Sequence, residues 1–230
     1  MCFSVLMSTT RLVLTVTLLV QNVAQEASPT QMPSDRADSY QFYSRLMPVG
    51  ESANKGWPHD LYLVEDATRQ MVPLDQPCNP TRAVGQRIYT NATNPHDAVT
   101  PPESDRQDYN EIVSDFDSHC HERITLDRNA FNIAVPVRLL NHDEQNQFQR
   151  LRAGFPDKDP KIATELGAKY RGAPGLYTFS EVYFNAHHTV ALVYAGVWCG
   201  SLCGHWFWSA FRLKDGQWIP LRWASTISMS

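Results

Sequence analysis

What this chain lacks narrows its chemistry more than what it contains. No run of lysine and arginine occurs, and 20 basic side chains stand against 24 acidic ones for a formal charge of −4. A nucleic-acid partner needs a basic stripe, so none is expected. No serine sits in a G-x-S-x-G elbow, no cysteines are spaced C-x-x-C, and no two histidines stand four apart as in a zincin helix. The hydrolase, dithiol and zinc-protease chemistries that such motifs carry therefore have no local signature here. There are no internal repeats and no second compositional regime, so one domain is expected.

The apolar run near the start, Leu12 to Val20, is nine residues long and too short to cross ~30 Å of hydrocarbon as a helix. Arg11 precedes it and the small-residue site Val23-Ala24 follows it. A basic residue, a short apolar run and a small-residue boundary make a secretory signal peptide, here residues 1–24. The expected product is periplasmic or secreted, with no membrane span after cleavage. Residues 25–36 are polar and proline-containing and read as a flexible leader, and residues 37–226 as a single domain. About 200 residues suffice to bury roughly 70% of the unfolded chain's surface.

Of five cysteines, Cys2 falls within the signal segment, and Cys78, Cys120, Cys199 and Cys203 remain. An even number in an oxidising compartment suggests two disulfides, for which three pairings exist. The favoured set is Cys199–Cys203 with Cys78–Cys120, because a hairpin around Gly200-Ser201-Leu202 brings the first pair within bonding reach.

The region from Leu176 to Trp223 holds five of the six tryptophans and is rich in β-branched and aromatic residues. Turn signals at Asn185-Ala186-His187-His188, at Cys199 to Gly204 and at Asp215-Gly216 divide it into four runs of strand length. It reads as a four-stranded antiparallel meander. Upstream, Ala37 to Met47 has helical spacing, with Pro48 as its end. Asp60 to Asp66 and Phe131 to Leu140 read as strands, the second an edge or interrupted one because of Pro136. Met71 to Leu74 reads as an extension of a hairpin. Further helices are expected from Asp105 to Ser118, from His142 to Ala153 with Asn141 as cap, and from Pro160 to Tyr170. The fold class is α+β: a mainly antiparallel sheet with helices packed on one side.

Several pieces of the chain, namely Ser180-x-Val182-x-Phe184-Asn185, Ala191-Leu-Val-Tyr194, Cys199-Gly-x-Leu-Cys203-Gly204 and Gly216-x-Trp218, carry a resemblance. They resemble an uncharacterised family of exported bacterial proteins, over roughly residues 38 to 224. The resemblance implies one secreted or periplasmic α+β domain and brings no reaction, cofactor or catalytic residue with it. Glu181 stands where the family's pattern has a basic residue.

Three constellations are candidates for a site. The segment Asp115 to Glu122 gathers Asp117, His119, Cys120, His121 and Glu122, the side-chain types that ligate metals. Its plainer reading is a polar helix terminus with Cys120 oxidised. His187, His188 and His205, with Ser180 or Ser201, are candidates for acid–base chemistry, but no orienting carboxylate is evident beside them. Trp206 and Trp208 share one face of a strand, flanked by Trp198 and Trp218, and form a candidate binding platform; the plainer reading is core packing. The expected function is a non-enzymatic exported accessory domain without a cofactor, binding a small ligand, a glycan or an envelope protein through the aromatic meander. The alternative is an exported metal-dependent or Ser/His hydrolase centred on Asp115 to Glu122.

Overall fold

The computed structural model describes residues 27–33, 36–51, 59–79, 92–155, 159–225 and 228–229. The expected signal peptide lies outside the described residues. Among those residues no helix is long and apolar enough to cross a membrane.

The fold is α+β and is built on a seven-stranded, mostly antiparallel sheet. Its heart is the expected meander: β6 (Leu176–Phe184), β7 (Val190–Gly200), β8 (Cys203–Lys214) and β9 (Gln217–Leu221) pair antiparallel in chain order. Each turn has a local cause. Between β6 and β7, the Asn185 side chain accepts from the backbone N–H groups of Thr189 and Val190. Between β7 and β8, the Cys199–Cys203 disulfide closes the turn with Cα atoms 5.0 Å apart. Between β8 and β9, Asp215 and Gly216 both take positive φ, 51° and 75°, the conformation a two-residue hairpin of type I′ demands.

Two upstream strands extend the sheet in the other sense. The strand β2 (Tyr62–Glu65) pairs parallel with β6 on one side and parallel with β5 (Val137–Leu140) on the other. β5 forms the sheet edge, as Pro136 implied, though the strand starts only after that proline. Small pairs decorate the rim. These are β1 (Thr30–Gln31) with β4 (Ile124–Thr125), and β3 (Val99–Thr100) with β10 (Ala224–Ser225). The last strand, β11 (Ser228–Met229), pairs with β8.

Helices cover both faces of the sheet, not one. The helix α1 (Ser39–Glu51) puts Phe42, Tyr43 and Leu46 onto Phe179, Phe184, Phe211 and Trp218. The opposite face takes α3 (Arg106–His119), through Tyr109, Ile112, Val113 and Phe116, on Tyr183, Leu192, Tyr194 and Trp208. Farther along that same face, α4 (His142–Arg152) and α5 (Pro160–Lys169) pack Phe148 and Leu166 with Leu63, Leu140 and Leu176. The reason is the alternation itself: apolar side chains occupy both faces of β6 and β7, so both need cover. The short helix α2 (Pro95–Ala98) lies in the long excursion that Cys78–Cys120 ties to the end of α3.

Other expectations need correction. Pro48 does not end α1; the helix runs on to Glu51 with the proline inside it. Met71 and Val72 form no strand; they are buried against the α3 layer. The polar stretch read as a leader contributes β1 and buries Arg36.

Candidate functional site

The four tryptophans do not form a common platform. Trp208 is buried, 4% exposed, against Phe116, Tyr183 and Tyr194, and its indole N–H donates to the carbonyl of Ala92. Trp218 is buried on the other face of the sheet against Phe42 and Phe184. Trp198 is half-buried against Phe148 under α4, and Trp206 is half-buried over Gly196, packed against the α3-face cluster. They anchor three separate clusters because a helix closes each region of the sheet.

The residues of Asp115 to Glu122 are dispersed as well. His119 turns its Nδ1 to Asp115, 2.8 Å from the carbonyl and 3.0 Å from the carboxylate. Asp117 pairs with His96 at 2.8 Å, and His121 Nδ1 lies 3.1 Å from the carbonyl of Val72. Glu122 is exposed. Among the described residues, the side chains gathered within reach of one ion are Cys78, Cys120 and His121, and the two cysteines are joined as a disulfide. The alternative metal quartet, Asp117, His119, His121 and Glu122, is not among the groups gathered within reach of one ion.

Asp115 belongs instead to a buried ionic cluster. Arg36 donates to Asp115 at 2.8 Å and to the carbonyl of Val182 at 2.7 Å, and lies 3.0 Å from Glu181. Glu181 sits at a register shift in β6, between Phe179 and Val182. Such a bulge aims a strand residue where regular alternation would not. Burial holds the Glu181 carboxyl up to about 7, against the pull of Arg36. Burial likewise raises the phenols of Tyr43 and Tyr183 well above their ordinary range, and the nearby Glu181 adds to it.

Among the described residues, no serine named as a candidate is presented to a histidine. The Ser180 hydroxyl is buried, donating to the carbonyl of Glu181 and accepting from the N–H of Tyr194. Ser201 is exposed in the disulfide turn, and His187 is exposed in the β6–β7 turn. His188 stacks on Phe184, ring centroids 4.8 Å apart and nearly parallel, and His205 lies against Phe207.

A concavity of varied chemistry lies elsewhere. The parallel strands β2 and β5 end side by side, and their chains diverge, β2 into residues 66–76 and β5 through Asn141 into α4. A cleft of about 690 Å³ opens between these two walls. Crevices beyond the carboxyl ends of parallel strands are where open sheets commonly take ligands.

Local structure holds both walls. On one, Glu65 accepts from Thr178, Gln70 donates to the carbonyl of Val72, and Thr93 donates to that of Met71. On the other, α4 is set by a reciprocal capping box between Asn141 and Glu144. Glu144 is also paired with Lys169 and Arg138, which hold its carboxyl below the usual range, the Lys169 hydrogen bond foremost. α4 then turns His142, Gln145, Asn146 and Gln149 into the cleft, the i, i+3, i+4, i+7 face opposite Phe148 and Leu151.

The charges in the cleft are mixed: Glu65 and Asp66 with Arg69 and Arg123. Arg123 is held at the wall, 3.4 Å from the carbonyl of Ala27. Among the described residues that line it, none is Phe, Tyr or Trp.

Sequence reasoning passed over these residues. The polar stripe of α4 is periodic and legible, but nothing in the sequence says that β2 and β5 are neighbours. No protein-family model, no curated protein and no solved structure matches this chain.

Proposed function

We propose that this chain is an exported accessory domain, working in the periplasm or outside the cell, that binds a small polar ligand in the cleft between residues 66–76 and α4. One observation carries the reading: the carboxyl ends of a parallel strand pair open onto a cleft walled by carboxamides and by charges of both signs. Two disulfides support an oxidising setting. The Ser180 hydroxyl is engaged by the backbone of Glu181 and Tyr194, and two of the three gathered ligand-type side chains, Cys78 and Cys120, are joined as a disulfide, which favours the cleft over the Asp115–Glu122 segment as the site. The cleft takes the place of the tryptophan meander as the binding surface, because the indoles are used in packing.

The test is amide chemical-shift mapping of the mature chain against a panel of amino acids, short peptides and oligosaccharides at millimolar concentration. Perturbations clustered on residues 65–71 and 142–149, and lost in a Asn146→Ala/Gln149→Ala double variant, support the reading. A panel that moves no resonance in those two segments sinks it.

A further inference from the structure

We infer that the ligand of the cleft is a zwitterion, a free amino acid or a short peptide with unblocked ends. The inference rests on the cleft being the binding site. Two of its lining groups, the Asp66 carboxylate and the Arg69 guanidinium, have no hydrogen-bond or ion-pair partner of their own among the described residues.

The backbone around them is hydrogen-bonded to three other segments. The Asp66 N–H donates to Leu140, the Asp66 carbonyl accepts from Leu126, and the Arg69 N–H donates to Phe179 at 2.7 Å. Both side chains are thus carried on a fixed segment while their charged ends remain available. Asp66 is half-buried and Arg69 exposed. An anionic ligand alone leaves Asp66 repelling it, and a cationic one meets the same opposition from Arg69 and Arg123.

A ligand with both charges satisfies both. An ammonium group pairs with Asp66, and a carboxylate takes the planar fork of Arg69. The third chemistry of the cleft matches what lies between those ends. Asn146 and Gln149, one turn apart on α4, offer carboxamides that donate and accept, the complement of a peptide bond. Sugars are served less well, because the described lining residues offer no aromatic ring on which a pyranose face would stack.

Four probes test this on the mature chain by calorimetry and shift mapping: trialanine, N-acetyl-trialanine, trialanine amide and maltotriose. Trialanine is expected to perturb residues 65–71 and 142–149. Blocking either end is expected to weaken binding roughly 10- to 100-fold, the worth of one charge-assisted hydrogen-bonded contact. Asp66→Asn is expected to remove the penalty for acetylation only, and Arg69→Gln the penalty for amidation only. Among the described residues neither side chain makes a hydrogen bond or ion pair, so unfolding midpoints serve as the control.

If the blocked peptides bind as well as trialanine, or maltotriose alone binds at these residues, the zwitterion is wrong and the cleft still stands. If no probe moves the cleft resonances, the zwitterion falls together with the cleft.

Discussion

Arg36 Nη1 lies 3.0 Å from Glu181 Oε1, with both side chains out of solvent. The pair joins the segment before α1 to the bulge of β6, and Asp115 brings α3 to the same guanidinium. Three parts of the fold that are remote in sequence meet at one cation. Buried pairs of this kind are strongly destabilising to break, though not strongly stabilising to form.

The pair makes stability depend on pH in a definite direction. The Glu181 carboxyl is held up to about 7 in the folded chain, against 4.5 for the ordinary group. The folded state therefore binds its proton more tightly than the unfolded chain does. That contribution is complete below about pH 4.5 and is lost as pH rises toward and through about 7. Glu181→Gln is expected to flatten the fall in unfolding free energy between pH 5 and pH 8, measured by urea titration. Equal slopes in the two proteins would remove Glu181 as the cause.

Gly196 is required by Trp206. A Cβ at this position would stand 1.9 Å from Trp206 Cδ1, in the middle of the β7–β8 ladder. Gly196→Ala is expected to destabilise by roughly 1–3 kcal/mol as the indole is forced off. In a Trp206→Leu background the same change is expected to cost clearly less, a coupling of about 0.5–3 kcal/mol in a double-mutant cycle. Additive effects would mean that the ring is not what excludes the methyl group.

The two disulfides differ in what they close. Cys78 and Cys120 are 42 residues apart, and Cys199 and Cys203 are 4 apart. On the loop-entropy model, replacing the first pair by alanine costs roughly 4 kcal/mol and the second roughly 2 kcal/mol. Denaturant midpoints of the two double variants give the order directly, and a reversed order would contradict the assignment of the long loop to Cys78–Cys120.

The α4 wall of the cleft depends on its cap. Asn141 accepts from the Glu144 N–H at 3.0 Å, and Glu144 accepts in return from Asn141. Asn141→Ala is expected to cost about 1 kcal/mol, and Asn141→Asp to cost little, since aspartate caps equally well. Hydrogen exchange at residues 143–146 should quicken in the alanine variant alone.

What could be read from the residues was whatever is encoded locally. Asn185, Asp215 and Gly216 announce turns through their own conformational preferences, so the meander was legible. Tyr109, Ile112, Val113 and Phe116 announce α3 by their spacing, and Asn141 and Pro160 mark the starts of α4 and α5. The disulfide pairing followed from chain separation and the hairpin. The Arg36–Glu181 pair was not legible, because a bulge breaks the alternation that would have assigned Glu181 to a face.

The sequence by itself determined the α+β class, the meander and its turns, since alternation, helical spacing and turn chemistry act over a few residues. Only the tertiary structure decided that β2 runs parallel between β6 and β5, that helices cover both faces, and that the tryptophans are spent on packing. It also decided that Asp66, Arg69 and Asn146 share a cleft. Those outcomes depend on which distant segments become neighbours, and strand pairing between distant segments is chosen by the burial of the whole sheet rather than by any one stretch of it.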